Sequence, residues 1–411
     1  MHPTPEHIEH TLEQVLLRVQ KPGRYVGGEF NSVRKDWERV SFRAVMAFPD
    51  LYDLGMSNLG WMILYGILND QPDMFADRVF SPWTDMEAAM REAGLPYEVF
   101  QIVTGPGRVI GPPLIEGSNF LMFTGSTATG RKLAQQAAGE LISYSMELGG
   151  KNPALVLEDA DLDRAAEGMV RGAFGNTGQM CVSIERLYVQ SSIYEPFMER
   201  FLERTRHIPM GASLDYSYTF GSLISANQLH RVKAHVDDAI GKGARLLTGG
   251  KPRPDLGPYF FEPTVLDRVT PEMDIFAEET FGPVVSVYPF HTIEEGLQMA
   301  NQSEYGLNSA IWSRNTGRAL RLAQKLETGT VNINEPYGAA WASVDSPMGG
   351  RKASGVSRRH GREGIMKYTE AQTVAVQRGI PLAPFGPFKL RYFAMLMTAV
   401  LLLMKRIPGL R

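Results

Sequence analysis

Short apolar runs alternating with helical periodicity along most of the chain restrict it to folds built on a largely parallel sheet with helices between the strands. Residues 40–48 are rich in β-branched and aromatic side chains, and Pro49-Asp50 opens an apolar-periodic stretch over 51–68. Residues 78–81 read as a second short strand that Pro82 breaks, and 85–93 as a helix stopped by Gly94. The phase continues with strands at 100–104 and 119–123; Gly105-Pro106-Gly107 breaks the first, and Gly125-Ser126-Thr127 opens a helix after the second. Residues 154–157 and 186–189 are candidates for buried strands, and 161–173 for an amphipathic helix. With 411 residues the chain has room for two or three domains with sizeable cores, so the expected class is α/β.

The chemistry concentrates in two segments. Cys181, the single cysteine, sits in Gly178-Gln179-Met180-Cys181, and Glu147 stands in Glu147-Leu148-Gly149-Gly150-Lys151-Asn152-Pro153. A thiol that attacks only as thiolate, with a carboxylate able to activate water, is what a two-step acyl chemistry needs. Taken singly, each has a plainer reading: a small buried hydrophobe, and a helix end before Leu-Gly-Gly. Gly125 and Gly130 flank a turn from a strand into a helix whose free amides can face a pyrophosphate, tight packing being the plainer reading.

Composition excludes several classes. The 42 basic and 45 acidic residues give a net charge of -3, too even for nucleic acid or an anionic membrane as main partner. One cysteine cannot form an internal disulfide, and Met1-His2-Pro3-Thr4-Pro5-Glu6 lacks the layout of a secretory signal, so a reducing cytoplasm is expected. No metal site is expected. Residues 393–404 are apolar and flanked by Lys389, Arg391, Lys405 and Arg406, but shorter than the roughly 20 residues that cross a bilayer. They read as a terminal helix packed on the body or on another subunit, with an interfacial helix touching a membrane surface as the alternative.

Several motifs, in order, resemble the aldehyde dehydrogenase superfamily. They are Phe123-Thr124-Gly125-Ser126-Thr127-Ala128-Thr129-Gly130-Arg131, the Glu147 and Cys181 blocks, Glu278-Glu279-Thr280-Phe281-Gly282-Pro283-Val284, Gly329-Thr330-Val331-Asn332-Ile333-Asn334 and Pro347-Met348-Gly349-Gly350-Arg351-Lys352-Ala353-Ser354-Gly355. The likeness runs from about Glu92 to about Arg378, the last two-thirds of a usual member. Upstream, Lys21-Pro22-Gly23-Arg24-Tyr25-Val26-Gly27-Gly28, Ala47-Phe48-Pro49-Asp50-Leu51-Tyr52 and Arg78-Val79-Phe80-Ser81-Pro82-Trp83 resemble the opening of a group of radical S-adenosylmethionine proteins. Their cluster needs three closely spaced cysteines, so that chemistry is excluded here.

The chain therefore reads as a fusion with its seam inside residues 86–100. The expected parts are a foreign segment over 1–95, a partial, Rossmann-type dinucleotide-binding domain over 96–148, an α/β catalytic domain over 149–345, a returning segment with an oligomerisation strand over 346–380, and an apolar helix over 381–411. The borrowed strands are expected to take the sheet positions of the lost ones, beside residues 99–104.

The resemblance implies a sequence of steps. Cys181 attacks an aldehyde, hydride passes to NAD or NADP, and water deprotonated by Glu147 hydrolyses the thioester. It also implies a cofactor site at Gly125, Ser126, Gly130 and Gly149, with Glu279 on the nicotinamide ribose and Phe281 beside the nicotinamide. The family's oxyanion-binding asparagine has no counterpart in Ala47-Phe48-Pro49-Asp50-Leu51, nor its cofactor lysine in Phe80-Ser81-Pro82, which implies weakened turnover and cofactor binding. A non-enzymatic remnant binding a dinucleotide or its own subunits is the other reading.

Residues 183–189, 358–364 and 367–378 most resemble the succinate-semialdehyde dehydrogenase branch, which implies a short aldehyde ending in a carboxylate. Gly175 stands where many of that branch carry a carboxylate-binding arginine. Arg351, Arg358, Arg359 and Arg362 read as surface or interface ion pairs rather than a substrate clamp. Family members form homo-oligomers, and part of the oligomerisation hairpin is expected near residues 133–145.

Overall fold

The computed structural model describes Lys35 and residues 42–48, 74–80, 105–213, 217–377 and 390–406. Strands β1 (Phe42–Phe48) and β2 (Met74–Phe80) pair in parallel, Phe42 opposite Met74 and Phe48 opposite Phe80. The parallel pairing fits the alternation of the sequence, although β2 begins before residue 78. The helices expected at 51–68 and 85–93, and the strand at 100–104, lie outside the described residues, and with them the pairing expected beside 99–104.

Helix α1 (Gly107–Glu116) leads into β3 (Phe120–Thr124), α2 (Thr127–Gly139) and β4 (Ser143–Glu147). Ser126 caps α2, its Oγ accepting from the Thr129 N–H at 3.4 Å. Leu141 turns the chain with φ 56°. β4 then runs parallel to β3, a right-sized βαβ crossover. The stretch 133–145 is therefore half helix and half strand within one chain's sheet, not part of a hairpin. Glu147 ends a strand rather than a helix, because β3 on one side and β14 (Gly355–Val356) on the other supply its backbone partners.

The larger sheet has the order β12-β11-β5-β6-β9-β8-β7. Its strands are β5 (Asn152–Val156), β6 (Ile184–Gln190), β7 (Arg245–Thr248), β8 (Thr264–Asp267), β9 (Val284–Phe290), β11 (Asn308–Trp312) and β12 (Thr330–Ile333); only β7 is antiparallel to its neighbour. The central strands are apolar runs because both faces are covered. On β5 and just beyond it the side chains alternate: Leu155 and Leu157 join Tyr188, Phe290 and Ile311 in one core, while Ala154 and Val156 join Leu187, Val189 and Trp312 in the other.

Helices α3 (Leu162–Phe174) and α4 (Tyr194–Arg206) cover the second face through Met169, Phe197 and Phe201. Asp161 caps α3 by accepting from the Arg164 N–H at 3.2 Å, so the expected helix at 161–173 begins one residue later. A Cβ at Gly168 would lie 2.2 Å from the Trp312 ring, which sets how closely α3 approaches β11. Helices α5 (Ala226–Gly241), α6 (Ile293–Asn301) and α7 (Thr316–Ala323) cover the other face with Val232, Val236, Leu297 and Ala319.

Residues 1–368 and 369–411 form two separate compact units. The second contains helix Leu390–Met404, on which Leu390, Met395, Leu401 and Leu403 are exposed. Among the described residues no helix is long and apolar enough to cross a membrane.

Candidate active site

Cys181 follows a backbone turn that few sequences would adopt unaided. Asn176, Thr177 and Gly178 are all left-handed, with φ of 50°, 59° and 69°. Two non-glycine residues in that region cost free energy that the surroundings must offset. Thr177 Oγ1 donates to the Gly221 carbonyl at 3.2 Å, and Gln179 Oε1 accepts from the Ile224 N–H at 2.8 Å. Gly178 is required twice, by its φ and by its neighbour: a Cβ there would lie 2.1 Å from the Gly282 carbonyl oxygen.

The backbone around the thiol is then clamped by buried amides. Asn152 Nδ2 donates to the carbonyls of Cys181 (2.8 Å) and Ser183 (2.7 Å), while its Oδ1 accepts from the Asn308 N–H at 3.0 Å. Asn308 Nδ2 donates in turn to the Val182 carbonyl at 3.0 Å. Asn332 continues the chain, donating to Asn308 Oδ1 at 2.9 Å and accepting from the Ala340 N–H at 2.8 Å. Three asparagines therefore tie the cysteine loop to helix Gly338–Ala342, whose Gly338 and Trp341 line the cavity.

Cys181, Glu147 and Glu279 line one cavity of about 660 Å³. Burial pushes the Cys181 thiol above its ordinary range, and the nearby Glu147 and Glu279 carboxylates push the same way against a smaller pull from Arg359. Glu147 is 7% exposed. Burial raises its carboxyl too, opposed by Arg359, Lys367 and Arg358.

Glu279 comes from a loop fixed on two sides. Its Oε1 accepts from the Gly150 N–H at 2.9 Å, and burial, then the Glu185 carboxylate, push it up to about 7. From α5, Gln228 Nε2 donates to the Phe281 carbonyl at 2.7 Å and Arg231 Nη2 to the Glu279 carbonyl at 2.6 Å. From beneath, Glu185 accepts the N–H groups of Thr280 and Phe281, each at 2.9 Å, and pairs with Lys151 at 2.5 Å. The side chains of that pair are 1% and 3% exposed. Phe281 holds φ at 53° under these restraints.

Of the residues singled out in the sequence, Gly125, Ser126, Gly149 and Phe281 also line the cavity. Gly149 makes room for Glu279, since a Cβ there would lie 2.4 Å from Glu279 Oε2. Gly130 is not among the lining residues. It lies inside α2, where a Cβ would meet Leu148 at 2.4 Å, so tight packing accounts for its missing side chain. Gly175 leaves space filled by the Tyr337 hydroxyl and the Met180 methyl, 3.1 and 3.2 Å from a Cβ placed there.

Sequence reading passed over Lys151, Asn152, Glu185, Asn308, Gln228 and Arg231, whose roles depend on distant contacts. Arg359, read as part of a surface or interface ion pair, does form one, but with the cavity residue Glu147: its Nε is buried and lies 3.8 Å from Glu147 Oε1. Of the two segments expected to lack the asparagine and the cofactor lysine, residues 49–51 and 81–82 lie outside the described residues.

Comparison with known proteins gives a consistent answer. The aldehyde dehydrogenase family matches residues 81–374, starting ahead of Glu92. A Mycobacterium bovis protein named as a putative NADP+-linked succinate-semialdehyde dehydrogenase is 50% identical over 295 residues, 72% of this chain and 57% of its own length. The 3-sulfolactaldehyde dehydrogenase of Pseudomonas putida is 42% identical over 294 residues, 70% of this chain and 59% of its own. Betaine aldehyde dehydrogenase from Staphylococcus aureus in complex with NAD+ aligns with a TM-score of 0.65 at 31% identity, over 80% of this chain and 65% of that one. The chain thus spans between half and two-thirds of the length of these relatives. With its α/β architecture and its match across most of its length, the chain belongs to the aldehyde dehydrogenase family.

Proposed function

We propose that this chain oxidises a short aldehyde ending in an anion, succinate semialdehyde foremost, to the carboxylic acid. The observation that carries the reading is the convergence of Cys181, Glu147 and Glu279 on a single cavity. The names of its relatives support the substrate class, with Tyr337 in place of an arginine beside Gly175.

The residues fit a nicotinamide dinucleotide. A capped helix start at Ser126 and a half-buried acceptor at Glu279 border the same cavity as the thiol. The cofactor, when bound, would supply the hydride acceptor. Burial first, then the Glu147 and Glu279 carboxylates, push the Cys181 thiol up, against a smaller pull from Arg359. Cys181 Sγ bonds to the aldehyde carbon, the hydride leaves, and a thioester remains. Glu147 then takes a proton from water as the new C–O bond forms and the C–S bond breaks.

Turnover is expected to be low, about 10²–10³ below that of a relative with the oxyanion-binding asparagine, because residues 47–51 offer no such amide. The upstream segment resembling radical S-adenosylmethionine proteins would add no cluster chemistry with Cys181 as the sole cysteine. The direct test is turnover of succinate semialdehyde with NAD and with NADP, and its loss in Cys181→Ala. Absence of turnover, with Cys181 alkylated no differently from a denatured chain's thiol, would point to a non-enzymatic remnant.

Cofactor affinity should depend on pH through Glu279. A carboxylate accepts both ribose hydroxyls, whereas the acid is a poorer acceptor, so binding is strongest above about 7 and weakens as pH falls. Fluorescence titration of NADP at pH 8 and pH 6 is expected to give a dissociation constant about tenfold weaker at the lower pH, the limit for one ionisation. Glu279→Gln should flatten the profile. His235, near the same loop, is held below its usual pKa, first by burial and then by Lys151 and Arg231.

A further inference from the structure

Two buried polar atoms face each other without partners. Glu147 Oε1 and Arg359 Nε are each inaccessible and make no hydrogen bond, and they lie 3.8 Å apart. A charge-assisted bond would need about 2.7–2.9 Å, so the pair is one small side-chain movement from closing. Arg359 is the fixed partner. Its backbone exchanges hydrogen bonds with Met348 at 2.6 and 2.7 Å, and its Nη2 donates to Thr124 Oγ1 at 2.6 Å. Thr124 is the β3 residue in register with Glu147, and both line the cavity, whereas Arg359 does not.

We propose that Arg359, anchored on Thr124, is the positioning residue for Glu147: it holds one carboxylate oxygen and leaves the other for the water that attacks the acyl group on Cys181. The inference rests on the reading of Cys181 and Glu147 given under Proposed function. The other charged groups around Glu147 are less well placed. Arg358 donates to the carbonyls of Gly350 and Ser357 at 2.9 and 2.7 Å, and Lys367 to Ser145 Oγ at 3.2 Å. Cys181 lines the same cavity, and the Glu147 and Glu279 carboxylates both push its thiol up, after burial. Arg359 is the first of the cations that pull the Glu147 carboxyl down, so its loss lets that carboxyl rise. Arg359 does not line the cavity, and its pull on the Cys181 thiol is smaller than the push of either Glu147 or Glu279, so its main action is on Glu147.

Para-nitrophenyl acetate tests this without any hydride step. Cys181 Sγ bonds to the ester carbonyl carbon and para-nitrophenolate leaves; water then releases acetate, its proton passing to Glu147. Decay of the acetyl-enzyme, followed by mass across pH, reports the second step alone. Arg359→Gln should move the acidic limb of that decay about one unit upward, slowing decay about tenfold below the limb, with any change in the nitrophenolate burst smaller than that. Arg359→Lys should restore most of the shift, and Thr124→Val should produce a smaller shift in the same direction. An unshifted limb in Arg359→Gln, or an Arg359→Lys as impaired as Arg359→Gln, would overturn the assignment. If Arg359→Gln does not fold, an unshifted limb in Thr124→Val overturns it. No burst from the unaltered chain would remove the reading of Cys181 as well.

Discussion

Glu147→Gln is expected to release one equivalent of reduced cofactor per cysteine and then stall. Acylation needs the thiol and the cofactor, whereas hydrolysis needs a group that accepts a proton from water. Removing the base should lower steady-state turnover by about 10²–10⁴ while leaving the burst intact. The burst should even quicken near neutral pH, because the Glu147 carboxylate is one of the groups that push the Cys181 thiol up. Glutamine keeps the size of a side chain that is 7% exposed at the end of β4, so the cavity should persist. Stopped-flow measurement of reduced nicotinamide decides the matter. A burst that falls in step with turnover would mean that Glu147 serves the thiol rather than the water, and the division of labour drawn above would be wrong.

Residues whose chemistry is local were legible in the sequence, and residues whose role is made by a distant contact were not. Cys181 and Glu147 stood out because a lone thiol and a carboxylate in Gly-rich turns restrict what they can do. Strand β5 and the helix after it were readable to within two residues from an apolar run and an amphipathic period, which need no tertiary information. Gly130 was ambiguous in the sequence because a glycine after a strand serves close packing as readily as phosphate binding, and the Leu148 contact supports the packing role. The left-handed turn at Asn176 and Thr177 was not readable, since asparagine alone is a weak signal for positive φ and the β-branched threonine argues against it; Gly221, Ser222 and Ile224 hold it from another loop. Arg359 sits in a cluster of surface-like charges, and only the register of β14 with β4 brings its segment beside Glu147.

Lys151→Met is expected to cost about 3–5 kcal/mol of folding stability, because it leaves the Glu185 carboxylate buried and unpaired. Burial already holds the Lys151 ammonium well below its usual pKa, with Glu185 as the main opposing influence, so each partner depends on the other. For an ordinary buried ion pair, replacing both partners by apolar groups is often neutral. Here it should not be. Glu185 also accepts the Thr280 and Phe281 N–H groups, and losing it strands two buried donors at about 1–3 kcal/mol each. Lys151→Met/Glu185→Leu should therefore remain destabilised in urea melts, whereas Lys151→Met/Glu185→Gln, which keeps one acceptor oxygen, should recover part of the loss. The same order should appear in NADP affinity, since those two N–H groups set the loop that presents Glu279. A Lys151→Met/Glu185→Leu chain as stable as the original, with unchanged NADP binding, would show that α5 alone holds the loop through Gln228 and Arg231.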